Sequence, residues 1–355
     1  MASQPTDIKL TLQPTSRVEL IDVAERVRNQ DADFFDEYRK SAYASHHTTA
    51  GFFEQSFARR LKHDPEALEK YVGSFKKLFP PEADYRHDQM ELRDELSEEQ
   101  KLVEPRNADS HLTYIGAGLE NCVTYLNERK APVYFVDLDG TFGDIRRTRK
   151  TTVIGFNHES IVEEDELRVP MGSHPIGSVN LWDERVGVLE LLEEKIQELG
   201  LQKGRISLSL DPSEMNTGLT VNEYETLLMR HDLPDVLRNP LRFMAQRGVN
   251  MLRDPGAIKE KAKDYMKYDL VHVVNEFIEA TGLSETKVER IIDKFFQVPA
   301  NRFLRMKRKV DLIVSDDGTG KGRIVNGTYQ SPILVQWRRK EDHTRTLNVR
   351  FSRFE

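Results

Sequence analysis

The sequence predicts an α+β fold made of two tandem domains. Short runs that alternate apolar and polar residues, the mark of half-buried strands, are interleaved with segments whose apolar residues recur at helical spacing. The order strand, helix, strand, glycine-containing turn, helices, closing hairpin also occurs twice, with a period of about 170 residues, which describes tandem domains and not a solenoid. A chain of 355 residues has room for two domains of ordinary size.

The elements follow in order. Ile8 to Gln13 alternates as a strand, and "VELIDVAERVRN" has the spacing of a helix. "SAYASHHTTAG" is extended up to its glycine. "FARRLKHDPEALEKYVGSFKKLF" is helical, restarting at Asp64-Pro65, where Asp64 suits a cap and proline the first helical position. A polar stretch with short helical pieces leads to a helix or helix-turn in "SHLTYIGAGLENCVTYLNE", and "APVYFVDLDGTFGDIRRTRKTTVIGF" gives two strands and a turn. "NHESIVEEDELRVPMGSHPIG" is acidic, with proline and glycine, and suggests a linker. The order then restarts. A short strand, an amphipathic helix and a β run reach Asp211, followed by a glycine turn and a helix in "MNTGLTVNEYETLLMRHDLPDVL". A helical block and a final pair of alternating strands around a charged turn complete the chain. The boundaries predicted are 1–160 for the first domain, 161–175 for the linker and 176–355 for the second, with a helical insertion over about 242–297.

Hydrophobic residues make up 38% and charged residues 31% of the chain, which is ordinary for a soluble globular protein. The net charge of -7 argues against a general nucleic-acid binder. The local runs "RRTRK" and "RMKRK" are read as solvated edge charges. Cys122 is the single cysteine, so no intrachain disulfide forms, as expected in a reducing compartment. The N-terminal residues have no apolar signal-peptide core, and no apolar run approaches a membrane span of about 18 residues. A soluble, cytoplasmic protein with no membrane partner is expected.

Particular residues then resemble a family. His47-Thr48-Thr49-Ala50-Gly51, Lys62-His63-Asp64, Tyr85-Arg86-His87-Asp88 and Ser110-His111-Leu112 stand in the first half. Leu219-Thr220-Val221-Asn222-Glu223, Arg230-His231-Asp232, Gly327-Thr328-Tyr329-Gln330 and Arg345 stand in the second. Their order and spacing resemble the YjbQ-like family, often labelled secondary thiamine-phosphate synthase, in two diverged copies. Its pattern runs from a strand closed by HTTA or HTSA, through an Asn-Glu pair, an RHD triplet, a Tyr-x-His-Asp motif and a Ser-His-Leu motif, to a strand pair opened by GTWQ. The first copy departs at the Asn-Glu position and at the closing strand, where Gly140-Thr141-Phe142-Gly143 stands for GTWQ. The second has Glu214-Met215-Asn216-Thr217-Gly218 in place of HTTAG. The resemblance implies small two-sheet β-sandwiches with helices, a homo-oligomer of the trimeric kind, and a small phosphorylated molecule as ligand. It also implies transferase chemistry in which pyrophosphate leaves as a thiazole nitrogen attacks a pyrimidine carbon.

Three imidazoles converging on one point, His47, His87 and His111, would bind a divalent metal such as Zn²⁺ with one position open. Asp109 and Asp88 suit the orientation of those rings. His47, His111, Asp109 and Glu223 are the catalytic candidates, and Thr48, Thr49, Asn222, Gln330 and Arg345 the substrate-binding ones. The plainer readings stand beside these: a single histidine is usually a hydrogen-bonded loop residue, and Asn222 with Glu223 would serve as a helix start. The complementary losses suggest one site per chain, with histidines from the first copy and Glu and Gln from the second.

Two other readings compete. A degenerate repeat with a helical block would suit a non-catalytic binding or assembly protein. "PVYFVDLDGTF" matches the strand–DxDGT signature of haloacid-dehalogenase-like phosphatases, with Asp137 as nucleophile, Asp139 as acid–base group and Mg²⁺ as cofactor. "DDGTGKGR" does not meet the phosphate-loop pattern and is read as a hairpin turn.

Overall fold

The computed structural model describes residues 4–81, 85–94, 96–238 and 306–355. The helical block expected over about 242–297 lies outside the described residues. The chain divides into two compact units: the described residues of 1–59, 118–224 and 306–355 form the first, and those of 60–117 and 225–305 the second.

The first half of the chain runs β1 (Thr6–Leu12), β2 (Glu19–Asp22), α1 (Val23–Gln30), α2 (Phe34–Glu37), β3 (Lys40–Ser45), β4 (Ala50–Gly51) and α3 (Gln55–Arg60). Next come α4 (Pro65–Leu78), α5 (Glu98–Val103) and α6 (Ala108–Ala117), then β5 (Cys122–Leu126), β6 (Tyr134–Asp137), the ribbon β7 (Thr141–Phe142) and β8 (Ile145–Arg146), and β9 (Arg149–Phe156). The second half runs β10 (Glu159–Pro170), β11 (Gly177–Asn180), α7 (Val188–Glu198), β12 (Gly204–Leu210), β13 (Thr217–Asn222), α8 (Leu233–Arg238), β14 (Lys309–Ser315), β15 (Arg323–Ile324), β16 (Ser331–Gln336) and β17 (Thr344–Phe354). The α+β class is as the sequence predicts.

Local chemistry explains several boundaries. The run expected to be wholly helical begins as β2, because the Asp22 carboxylate accepts the Glu25 N–H at 3.2 Å and starts α1 there. Asp64 caps α4 in the same way, accepting the Glu66 N–H at 3.1 Å with Pro65 behind it. Asn222, expected to open a helix, instead ends β13.

The strand orders of the two halves repeat. In the first unit, β1-β9-β3-β5 form one sheet and β2-β6-β4 a second, while β10-β17-β12-β14-β15 and β11-β16-β13 form their counterparts. Every described strand pair is antiparallel. Register aligns the halves residue by residue: Ala50 faces Asp137 as Thr217 faces Gln336, and Ala44 faces Cys122 as Ser209 faces Lys309. Gln330 therefore precedes β16 at a place that has its counterpart before β6. Gly140–Gly143, matched to GTWQ by sequence, lies instead beyond β6 at the β7–β8 ribbon.

Each half has its own core. Ile8, Leu10, Val27, Phe34, Tyr43, Phe52 and Phe135 fill the first, and Leu192, Ile206, Leu208, Leu219, Leu334, Val349 and Phe351 the second. A third cluster joins them: Ala42, Ala44, Cys122, Ile154 and Phe156 pack against Ile313 and Phe354, with the Phe156 and Phe354 rings stacked at 3.9 Å. The expected linker over 161–175 is largely strand, since β10 pairs along β17 from Glu159–Phe354 to Pro170–Thr344. It is an edge strand, and Glu164, Asp165 and Glu166 on it face solvent, where they block further pairing. That composition is what resembles a linker in one dimension.

The second unit is helical where described. α6 is buried throughout and packs on α4, and the Tyr71 hydroxyl donates to the Ala117 carbonyl at 3.1 Å. A π-helical turn at Leu228–Asp232 precedes α8. The two segments that supply this unit leave the sandwiches at equivalent points, between β4 and β5 and between β13 and β14.

Candidate functional site

In the first unit the His46–Thr49 loop joins β3 to β4 and meets β9. Arg149 opens β9 and is 4% exposed. Its Nε and Nη2 donate to the two Asp137 carboxylate oxygens at 2.7 and 2.8 Å, and Nη2 also reaches the Asp139 carbonyl and Thr49 Oγ1. Arg147 pairs with Asp139 at 2.9 Å. His47 Nε2 accepts the Lys150 N–H at 2.7 Å, and its Nδ1 lies 3.5 Å from Arg149 Nη1. Burial, then the Arg149 charge, lower the His47 pKa to about 3. The ring is neutral at physiological pH.

The second half holds this loop in place. Gln330 Nε2 donates to the His47 carbonyl at 2.7 Å, and Asn222 Nδ2 donates to the Thr48 carbonyl at 3.1 Å. Gln330 Oε1 in turn accepts the Gly327 N–H at 2.8 Å. A Cβ on Gly327 would lie 1.8 Å from the His46 carbonyl oxygen, so glycine is required there. Two of the four residues chosen from the second half, Asn222 and Gln330, thus touch the loop chosen from the first, and they do so through its backbone.

An equivalent arginine centre stands in the second half. Arg345 Nη1 donates to Glu214 Oε2 at 2.8 Å, and its other nitrogens reach Gln336 Oε1 and the Arg338 carbonyl. Glu214 Oε1 accepts the Thr346 N–H at 2.9 Å, as His47 accepts that of Lys150. Glu214 therefore occupies the His47 place, Gln336 the Asp137 place and Arg345 the Arg149 place. Arg345 is buried in this network. A further pair of counterparts, Glu120 and Lys307, bridge at 2.6 Å; each pairs its backbone with the neighbouring strand, at Phe52 and Leu219 respectively. Burial pushes Glu120 up to about 8 against the pull of Lys307.

His87, His111 and Asp109 belong to the second unit, whereas His47, Thr48, Thr49, Asn222, Glu223, Gln330 and Arg345 belong to the first. His87 and His111 are buried, with ring centroids 5.4 Å apart. His87 Nδ1 donates to Asp88 Oδ1 at 2.8 Å, and the same oxygen accepts the Ala108 N–H at 3.1 Å, where α6 begins. Asp88 thereby ties the His87 ring to the helix that carries Asp109 and His111. Burial alone would lower the His87 pKa, but the Asp88 hydrogen bond and charge, with Glu225, raise it above the usual 6.5. The Asp232 carboxylate accepts the Arg86 and His87 backbone N–H groups at 3.1 and 2.9 Å.

A metal held by His47, His87 and His111 would need a free ring nitrogen from each. Two ring nitrogens and the Asp88 Oδ2, which is buried without a hydrogen-bond partner, are chemically suitable donors for a divalent ion. Among the described residues no group of three His, Cys, Asp or Glu side chains is spaced to hold one. The Lys150 N–H also occupies His47 Nε2.

Several residues escaped the sequence reading. Within "RRTRK" Arg146 and Lys150 are solvent-exposed as read but Arg149 is buried on Asp137, and within the described part of "RMKRK" Lys307 pairs with Glu120 while the exposed Arg308 donates to the Asp211 and Glu214 carbonyls. Asp137 and Asp139 lie at and beyond the end of a strand in a three-stranded antiparallel sheet, not in a doubly wound one. Both Asp137 oxygens are engaged by Arg149. "DDGTGKGR" is the β14–β15 turn, with the Asp316 carboxylate accepting the Gly318 and Gly320 N–H groups. Only the second appearance of an Arg-His-Asp triplet pointed toward Asp232.

No protein-family model matches the chain, and no curated protein matches it. Solved structures of YbjQ-like proteins are similar to about half of it. A YbjQ-like protein of unknown function from Sulfolobus solfataricus P2 has 14% identity over 55% of this chain and 99% of that chain, with a TM-score of 0.29. A hypothetical protein from Aeropyrum pernix K1 has 15% identity over 54% and 98%, with a TM-score of 0.28. An uncharacterized conserved protein of the YjbQ/UPF0047 family from Clostridium acetobutylicum has 14% identity over 54% and 99%, with a TM-score of 0.26. Among the described residues no helix is long and apolar enough to cross a membrane.

Proposed function

We propose that the chain carries a histidine-centred site for a small molecule, with His87 as the acid–base group, Asp88 as the residue that orients it and His111 beside it. The 2.8 Å hydrogen bond between His87 Nδ1 and Asp88 Oδ1, made where both residues are buried, carries this reading. A carboxylate on Nδ1 fixes the tautomer and leaves Nε2 to accept and return a proton. The raised pKa keeps a protonated fraction available near neutral pH.

The substrate class, a small phosphorylated molecule, and the thiamine-phosphate-synthase-like transfer follow from the motif resemblance. In that reaction a C–N bond forms as the C–O bond to pyrophosphate breaks, and protonated His87 would give its proton to the departing phosphate oxygen. The repeated strand order supports reading the chain as two YjbQ-like copies in tandem, with Glu214 standing where the second copy lost its histidine. A divalent ion is a competing reading, since it would take His87 Nε2 and His111 as nitrogen donors and so remove the atom the acid–base role needs; metal analysis of the purified wild type and of His87→Ala decides between the two.

The function is tested by titrating the protein with inorganic pyrophosphate while following imidazole resonances, and by assaying thiamine phosphate formation from the pyrimidine pyrophosphate and thiazole phosphate. Shifts at His87 and His111, with turnover reduced about 100-fold or more in His87→Gln, are expected. Binding without turnover would favour the non-catalytic binding protein. No shift at either ring would remove the site.

A further inference from the structure

The triplet Arg-His-Asp occurs twice, at 86–88 and at 230–232. In the second unit the two triplets meet. Asp232 is fully buried, and its Oδ1 and Oδ2 accept the backbone N–H groups of Arg86 and His87 at 3.1 and 2.9 Å. Arg86 Nη1 lies 2.8 Å from His231 Nδ1. Each aspartate has a different task. Asp88 holds the His87 ring, whereas Asp232 holds the His87 main chain from another segment of the polypeptide.

We infer that Asp232 is a positioning residue for His87, fixing the backbone from which the imidazole projects. The inference rests on the acid–base reading of His87 given above. The Asp88–Ala108 bond fixes one end of the His87–Asp88 pair to the start of α6. A ring held only at Nδ1 can still swing with its own main chain. Two charge-assisted bonds from one carboxylate to consecutive N–H groups remove that freedom, and a base delivers protons efficiently only when held within a few tenths of an ångström of its productive place.

The test uses the full chain and imidazole NMR. Asp232→Asn keeps one acceptor oxygen and Asp232→Ala keeps none. His231→Ala removes the Arg86 contact and leaves the carboxylate. The His87 Nδ1 proton should be seen at low field in the wild type and in His231→Ala, weaken in Asp232→Asn and exchange too fast to observe in Asp232→Ala. The amide spectrum of the first unit should stay unchanged in all of them. kcat should fall at least tenfold in Asp232→Ala with KM retained. An unaltered His87 proton signal and titration midpoint in Asp232→Ala would overturn the inference; if that variant does not fold, the same result in Asp232→Asn does so. Failure of the functional reading shows up separately, as full turnover in His87→Gln, because the Nδ1 signal requires no substrate.

Discussion

Arg149 is buried, and it pairs with Asp137, which is buried with it. Removing one partner of such a pair strands the other. Arg149→Met should therefore cost about 3–5 kcal/mol, seen as a lowered urea midpoint. Arg345→Met should cost less, because Glu214 keeps Lys340 at 2.7 Å. The histidines beside Arg149 set an acid limit. His46 and His47 have pKa values of about 4 and about 3, lowered chiefly by burial and then by Lys150 and Arg149 respectively. Below the ordinary value of 6.5 the unfolded chain binds protons that the native state refuses, so stability falls as pH drops from 6.5 toward 3. His87 works the other way: its raised pKa adds stability that is complete below 6.5 and is lost as pH rises through the folded value. The unfolding free energy of His47→Gln should accordingly lose less between pH 6.5 and pH 4 than that of the wild type. His47 was visible in sequence as part of a polar turn. Arg149 was not, since a cation inside "RRTRK" shows its burial only once its strand has found Asp137.

At the scale of elements, strands and helices with clean periodicity were legible: β1, β12 and β17 alternate, and α4 and α7 show apolar stripes. The Asp64 cap was legible too, and Asp64→Ala should cost about 1 kcal/mol, read as earlier loss of the α4 circular-dichroism signal on heating. β10 was misread because an edge strand exposes its polar face, and β13 because its glycine suggested a turn where the strand continues. The His46–Thr49 loop, though short of regular bonds of its own, is pinned by Gln330 and Asn222. Gln330→Ala leaves the His47 carbonyl unpaired and should cost about 1–3 kcal/mol, with faster amide exchange across residues 46–49 and unchanged exchange in β12.

At the scale of the molecule, the repeated order of elements could be counted in sequence, but the pairing that makes two like sandwiches could not, because register is decided by contacts far apart in the chain. The cluster joining the sandwiches shows the dependence of one on the other. Ala42, Ala44, Cys122, Ile154 and Phe156 are covered by Ile313 and Phe354. A fragment ending at Asn157 bares that apolar face, and gel filtration should find it more associated than the whole chain at equal concentration. The split of the chosen site residues between the two units was equally invisible, since the motifs give order and not position.

The separation of Asp232 from His87, 145 residues along the polypeptide, bears on biosynthesis. Translation delivers the imidazole early and its main-chain anchor late. A nascent chain still short of that acid carries the Arg86 and His87 main-chain N–H groups without their buried acceptor, so truncation before residue 232 leaves this stretch of the second unit unanchored.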